Sequence, residues 1–453
     1  MNNSRETFGS NFAVIMAMAG SAIGLGNIWR FPYIVGQYGG AAFIIVYVIA
    51  SLLLALPIFY AETIIGRASG ANTFKAMRTL APGTGWHWVG ILTIVSPILI
   101  MGFYGVVGGW SIQYLVKSLS FSFINSDSET ITNYFGTYIS SDWAPLWGHF
   151  LFVASMVIIT LAGVKKGIER FTKPSLPILM VLIIAIAVYS ICLPGARGGV
   201  EYMLKPDFTK LTARGVAAAL GQSFFSLSLG VGTILIYASY MKKGQNVFVS
   251  GIGTALFDVM FAIIAGFAIM PAVFAAGLEP GAGPGLIFET LPFIFNKMGA
   301  SMPIISGVVS IIFFFSIFIA ALTSAISLLE VGVAYLSEET RLSRRTSTII
   351  LGLFIWALGV ICSLSFGSLS NITLGGDNFF GILDNLCSNI LMPFGGLLFT
   401  IFVGWKMPKA KVYEEFTNGG TKKLNRIIYP AVRFLMRYVA PIGIVAIWLS
   451  IYL

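Results

Sequence analysis

The sequence predicts an all-α integral membrane protein of about eleven transmembrane helices, and three observations lead there. Of the 453 residues, 57% are hydrophobic and only 10% charged, with a mean hydropathy of +0.87. A domain folded in water needs more charge on its surface than 28 basic and 18 acidic residues supply. Apolar runs long enough to cross a hydrocarbon core of roughly 30 Å recur along nearly the whole chain. Basic residues gather in alternate loops, the asymmetry that orients helices in a bilayer. The net charge of +10 is therefore read as topology and not as a nucleic-acid footprint.

The apolar runs place spans near 10–36, 41–66, 88–121, 147–163, 174–194, 214–241, 247–275, 303–336, 347–365, 379–405 and 430–453. Loops on one side carry Arg67, Lys75 and Arg78, then Lys165, Lys166, Arg170 and Lys173, then Lys242 and Lys243. The same side takes Arg341, Arg344 and Arg345 and a run from Lys406 to Arg437. Opposite loops hold Asp127, Glu129, Asp142, Glu279 and Glu289, while 195–214 mixes both signs. This places the N-terminus in the cytoplasm of a multi-pass cell-membrane protein. With an odd number of spans, the C-terminus lies outside.

Two spans are interrupted. The first contains Gly20, Gly24 and Gly26, followed by Asn27 and Arg30-Phe31-Pro32. The sixth contains Ser226-Leu227-Ser228-Leu229-Gly230-Val231-Gly232. Glycines often serve only to let membrane helices pack closely. A matched pair of Gly-x-Gly breaks five helices apart instead suggests two inverted five-helix repeats whose first helices are both unwound. The first repeat is read as 1–194 (helices 1–5, helix 1 broken at 22–26). The second is 195–405 (helices 6–10, helix 6 broken at 227–232), and 406–453 adds a cytoplasmic loop and an eleventh helix. The start of the fifth span, bracketed by Gly167 and Pro177 with Pro174 between, is expected to unwind easily.

Polar groups within the spans are sparse, so each is a functional candidate. Asn27 follows the first break, Ser226 and Ser228 flank the second, Asp258 lies inside the seventh span, and Thr323 and Ser324 lie in the eighth. All offer hard oxygen donors. One carboxylate with neutral oxygens suits a monovalent cation better than calcium, zinc or copper. Cys192, Cys362 and Cys387 and two histidines, His87 and His149, form no metal or disulfide pattern. A lone Ser or Thr in a membrane helix usually bonds back to its own backbone, which is the plain reading of Thr323. Broken helices expose amides and carbonyls, which together can hold the carboxylate and ammonium of an amino acid beside a cation.

The stretch from Met18 to Pro32 (Met-Ala-Gly-Ser-Ala-Ile-Gly-Leu-Gly-Asn-Ile-Trp-Arg-Phe-Pro) closely resembles the first-helix signature of the neurotransmitter:sodium symporter family. Gly221–Gly232 resembles its sixth-helix signature and Leu322-Thr-Ser324 its eighth, and the likeness is greatest to the eleven-helix bacterial branch. The resemblance implies a sodium-coupled importer of hydrophobic L-amino acids, aliphatic and aromatic, working by alternating access, and two Na+ sites. The first would take the Ala22 carbonyl, Asn27, Ser226, Asp258 and the substrate carboxylate. The second would take carbonyls of Gly20, Ile23 and Ala320 with the hydroxyls of Thr323 and Ser324.

The resemblance likewise implies a substrate pocket of Ala22, Gly24, Gly26, Tyr104, Phe225, Ser226, Ser228, Val231, Ser324 and Leu328. Arg30 would pair with Asp384 in an outer gate supported by Gln222, with Asp377 a competitor for Asp384's part. Arg5 would act in an inner gate with Glu338 and Tyr240. Glu62, near the cytoplasmic end of the second span, would support freed backbone there or be merely interfacial. Chloride-dependent relatives carry a neutral residue where Asp258 stands, so chloride is expected to be unnecessary. A leucine-transporting relative carries a bulky aromatic where Val231 stands, so a roomier pocket is expected here.

Other readings stay open. Gly109-Trp-Ser111 and Gly221-Gln-Ser223 lack a nearby histidine base, which weighs against a membrane enzyme. Gly24-Leu-Gly26 follows no strand and so makes no dinucleotide site. No repeated filter suggests a channel. A proton-coupled permease of the same architecture, titrating Asp258 or Glu62, is the nearest rival, followed by a membrane sensor that no longer transports. Oligomeric state is not encoded in any feature of the sequence.

Overall fold

The computed structural model describes residues 6–278, 287–299 and 302–452, so Arg5 and Glu279 lie outside the described residues. Nine helices among them are long and apolar enough to cross a membrane: Ala41–Ser69, His87–Leu119, Ala144–Leu161, Val164–Ile191, Val247–Ala275, Pro303–Glu339, Arg344–Leu364, Phe379–Lys406 and Lys423–Leu449. Asn11–Ala22 and Gly26–Gln37 form a tenth span, bent by 57° at its break. Ala213–Ser226 and Thr233–Ser239 flank the second expected interruption in the same way. Among the described residues the fold is all-α apart from one small hairpin, Thr373–Leu374 paired with Asp377–Asn378.

Each break has a local cause. Helix Asn11–Ala22 ends where Ile23 turns extended (φ −72°, ψ 111°), and the Gly24 amide donates to Asn27 Oδ1 at 3.3 Å. That bond ties the break back to the first turn of the second half of the span. In the sixth span Ser228, Gly230 and Gly232 all adopt left-handed backbone angles (φ 51°, 81° and 74°). Glycine does so freely; Ser228 does so at a cost of about 1 kcal/mol or more. Its hydroxyl is held on the Ser21 carbonyl at 2.8 Å, which ties one break to the other.

Two boundaries differ from the sequence expectation. The fifth span begins ten residues before 174, because a π-helical turn at Val164–Glu169 runs straight into Arg170–Ile191. Pro174 and Pro177 therefore sit inside a wound helix, as membrane helices tolerate when the backbone groups they free find partners nearby. The eleventh helix begins at Lys423 and not near 430, since its first turns are amphipathic and suit the headgroup layer, where an apolar-run criterion is blind. Short helices Thr73–Leu80, Ser128–Ser140, Arg197–Leu204 and Lys409–Thr417 also lie between the spans.

The face that carries the start of the first helix is tightly closed. Phe8 is fully buried with its ring edge-on to Tyr237 and Tyr240, and its amide donates to the Tyr240 carbonyl at 3.1 Å. Glu6 Oε2 accepts from the amides of Val164 (2.6 Å) and Lys165 (3.1 Å), and Glu169 Oε2 accepts from Gly9 at 3.0 Å. Beside them, Arg67 and Lys243 both engage Glu415 of the loop helix Lys409–Thr417, at 2.7 and 2.6 Å. Arg67 also donates to the Glu415 and Gln245 carbonyls and to Asn418 Oδ1, so one buried guanidinium joins the second span, the 6–7 loop and the 10–11 loop.

Candidate binding site at the helix breaks

The breaks in the first and sixth spans lie side by side. Asn27 Nδ2 donates to Ser226 Oγ at 2.9 Å and to Asp258 Oδ1 at 2.7 Å, and Ser226 Oγ donates to Asp258 Oδ2 at 2.7 Å. All three side chains are essentially inaccessible, and Ala22 is buried as well. Tyr47 joins them, its hydroxyl 3.3 Å from Ser226 Oγ and 3.4 Å from Asp258 Oδ2. Sequence reasoning missed it. The signal was a hydroxyl within the apolar run Ala41–Ala50, overlooked because tyrosine there reads as packing.

This donor set fits a sodium ion on its chemistry. One carboxylate, the hydroxyls of Ser226 and Tyr47 and the Asn27 amide converge without thiolate or imidazole, and a buried carboxylate met only by neutral groups is costly without a cation. Among the described residues no cluster of three His, Cys, Asp or Glu exists that would suit a transition metal.

Of the residues expected at a second cation site, Gly20 lies against Thr323, and Thr323 bonds to Ala320. A Cβ on Gly20 would lie 3.4 Å from that of Thr323, which puts the first and eighth spans in van der Waals contact. Thr323 Oγ1 donates to the carbonyls of Ala320 (2.9 Å) and Ile319 (3.1 Å), the back-bonding common in membrane helices. Ser324 Oγ donates to the Ser21 carbonyl at 3.0 Å, so that oxygen accepts from both Ser324 and Ser228.

Tyr104, Phe225 and Ser324 crowd the first break. The Leu25 amide donates to Tyr104 Oη at 3.4 Å. A Cβ at Gly24 would fall 2.7 Å from that hydroxyl and 3.2 Å from Ser324 Cβ, and one at Gly26 would fall 3.1 Å from the Phe225 ring. Only glycine leaves room here. A cavity of about 420 Å³ lies behind Arg30 and Phe225, and a second of about 550 Å³ is lined by Leu25, Gly26, Arg30, Tyr104, Phe225 and Asp384 among others. Val231, Leu328 and Ala22 are buried and do not line the larger one.

Arg30 and Asp384 face that cavity without an ion pair between them. The Arg30 guanidinium sits 4.9 Å from the Phe225 ring centroid, and Asp384 Oδ1 accepts from Ser388 Oγ at 2.9 Å. Asp377 is bonded instead to Asn385 Nδ2 at 2.6 Å. Gln222 Nε2 donates to the Gly26 carbonyl at 3.0 Å, next to the break.

On the opposite face Tyr240 Oη donates to Glu330 Oε1 at 2.6 Å, and Arg344 forms a two-pronged ion pair with the same carboxylate at 2.7 and 2.6 Å. Glu338 accepts from the Asn72 amide at 3.1 Å and from its side chain at 2.9 Å. Glu330, fully buried in the eighth span, was not anticipated, although a carboxylate in so apolar a run is a clear signal. Glu62 Oε1 accepts from the Gly230 amide at 2.7 Å, inside the unwound stretch of the sixth span.

Known proteins give this geometry its context. A sequence model of the sodium:neurotransmitter symporter family matches residues 5–135 and 139–452. A Bacillus subtilis protein described as an uncharacterized sodium-dependent transporter is 36% identical over 98% of this chain and 96% of its own length. A Haemophilus influenzae protein of the same description is 33% identical over 99% and 98%. Among solved structures, MhsT in complex with L-phenylalanine superposes with a TM-score of 0.89 at 38% identity, covering 99% of this chain and 100% of its own. This chain is a multi-pass membrane transporter, not an enzyme, and it belongs to the sodium:neurotransmitter symporter family.

Proposed function

We propose that this protein imports hydrophobic L-amino acids, aliphatic and aromatic, by coupling them to sodium at two sites, without chloride. The observation that carries this reading is the Asn27–Ser226–Asp258 cluster at the junction of both helix breaks. A sodium ion taken there with Ala22 would leave room for a substrate carboxylate as a further ligand, which makes ion and amino acid mutually dependent. A second ion among Gly20, Ile23, Ala320, Thr323 and Ser324 would bridge the first and eighth spans, biasing their relative position. Neither ion requires a histidine or thiolate.

The substrate would sit over Gly24 and Gly26, with Tyr104 on its carboxylate and Phe225 above. Its side chain would be received near Val231, Ser228 and Leu328. Binding of L-phenylalanine by MhsT supports an aromatic substrate class. Arg30 and Asp384 would approach as the outer cavity closes, with Gln222 steadying the break. On the other face the bonds of Tyr240 to Glu330 and of Glu338 to Asn72 would loosen as it opens. The two five-helix repeats, 1–194 and 195–405, would supply the moving and fixed parts.

The test is uptake of radiolabelled Leu and Trp into proteoliposomes under an inward sodium gradient, against matched potassium. Uptake of both that needs sodium and is lost in Asn27→Ala supports the reading. Uptake indifferent to sodium and driven by a pH gradient overturns it in favour of proton coupling.

A further inference from the structure

We propose that the groove between the tenth and eleventh spans is a binding site for an anionic phospholipid, with an acyl chain in the groove and the phosphate on Arg437. The groove has a volume of about 580 Å³ and is lined by Leu397, Ile401, Trp405, Pro441, Ile442 and Val445. From Leu397 to Trp405 it extends roughly 12 Å along the helix, most of the roughly 15 Å depth of one hydrocarbon leaflet. Ile442 is 68% exposed and Val445 40%, so the walls are apolar surface with none of the described residues over them.

What separates this groove from ordinary lipid-facing surface is the cation at its mouth. The Arg437 guanidinium lies 5.4 Å from the ring centroids of both Trp405 and Tyr438, which stand edge to face 5.9 Å apart. The rings fix the position of the charge without neutralising it. Arg437 Nε is shielded from solvent and has no hydrogen-bond partner among the described residues. Lys406 is exposed one residue beyond Trp405, and Arg433 lies one turn before Arg437, donating to Tyr429 Oη at 3.0 Å. Glu415, on the loop between these spans, is taken up by Arg67 and Lys243.

A fixed guanidinium with an unmade hydrogen bond, a neighbouring ammonium and an aromatic pair at the interface match a phosphodiester. The apolar trough leading away from it matches a chain attached to that phosphodiester. A zwitterionic lipid would bring its own cation against Arg437 and Lys406. The occupant is therefore a lipid of net negative charge, such as a phosphatidylglycerol.

Native mass spectrometry of the purified protein in mild detergent tests this, with phosphatidylglycerol and phosphatidylcholine of identical chains titrated separately. The parent should retain phosphatidylglycerol at least about fivefold better, on the scale of one basic contact at a membrane surface. Arg437→Gln should bring phosphatidylglycerol down to the phosphatidylcholine level, and Ile442→Trp, which fills the groove, should lower both. Lys406→Gln removes a charge that supports no packing, so it should weaken phosphatidylglycerol binding even where Arg437→Gln impairs folding. Equal retention of the two lipids by the parent, or retention unchanged in Lys406→Gln and Ile442→Trp, overturns the proposal. So does a dimer that Ile442→Trp disperses, because a second copy then covers the groove.

Discussion

The backbone amide of Gly230 donates a 2.7 Å hydrogen bond to Oε1 of Glu62, so a carboxylate on the second span holds the unwound centre of the sixth. A buried amide in a membrane has no water to fall back on, and without this acceptor the segment would have to rewind or shift.

Glu62→Ala is therefore expected to leave that amide without a partner, at a cost of about 1–3 kcal/mol. Thermal unfolding in detergent should report a clear drop in Tm, and uptake should fall with it. Glu62→Gln retains an oxygen acceptor and should recover most of the Tm. Parent-like behaviour of Glu62→Ala in both assays would show that the sixth span keeps its shape without the second.

Asp258 brings a fixed negative charge to the proposed first ion site, where Asn27, Ser226 and Tyr47 surround it. Asp258→Asn should keep the geometry while removing the charge. Sodium-driven uptake by this variant should become chloride-stimulated by about tenfold, the usual size of a coupling between two sites. The parent should be indifferent. Chloride stimulation of the parent would refute chloride independence.

Val231 stands in the second break, fully buried. Val231→Phe should reduce Trp uptake by about tenfold or more while reducing Leu uptake less, because added bulk penalises the larger side chain. Equal losses would show that Val231 does not set the size of the pocket.

Glu415 lies in the loop helix, outside the spans. Burial pushes its carboxyl up, but Lys243 and Arg67 outweigh that and hold it below the ordinary glutamate range. A carboxyl lowered in the folded state stabilises above its unfolded value and loses that contribution as pH falls through the lowered one. Glu415→Gln should thus have a lower Tm than the parent at neutral pH. The gap should close only at acid pH, below about 4. A gap constant with pH would mean the pair contributes packing and no charge.

Much of this architecture was legible because lipid imposes simple rules. Apolar length located the spans, alternate loops carried the bases, and paired Gly-x-Gly stretches located the unwound segments. Asn27, Ser226 and Asp258 could be named because a polar residue in hydrocarbon needs a reason. Tyr47 and Glu330 obey the same rule, but the aromatic bulk of Tyr47 reads as packing and Glu330 shares its long helix with Glu338. The early start of the eleventh helix was illegible for a different reason. Its first turns are charged, and an interfacial helix keeps its backbone bonds whatever its hydropathy. The Arg67–Glu415–Lys243 junction joins residues nearly 350 positions apart, and nothing in one sequence pairs such charges.

Residues 6–9 are anchored at once to the 4–5 turn through Glu6 and Glu169 and to the sixth span through Phe8. That anchorage governs how the protein should be handled at the bench. An affinity tag or fluorescent protein fused ahead of residue 6 pulls on these contacts, and if this face opens as proposed it will distort the rates it was added to measure. Reporters belong on the exposed Gly375–Gly376 hairpin, where an added Cβ would meet nothing within 4 Å.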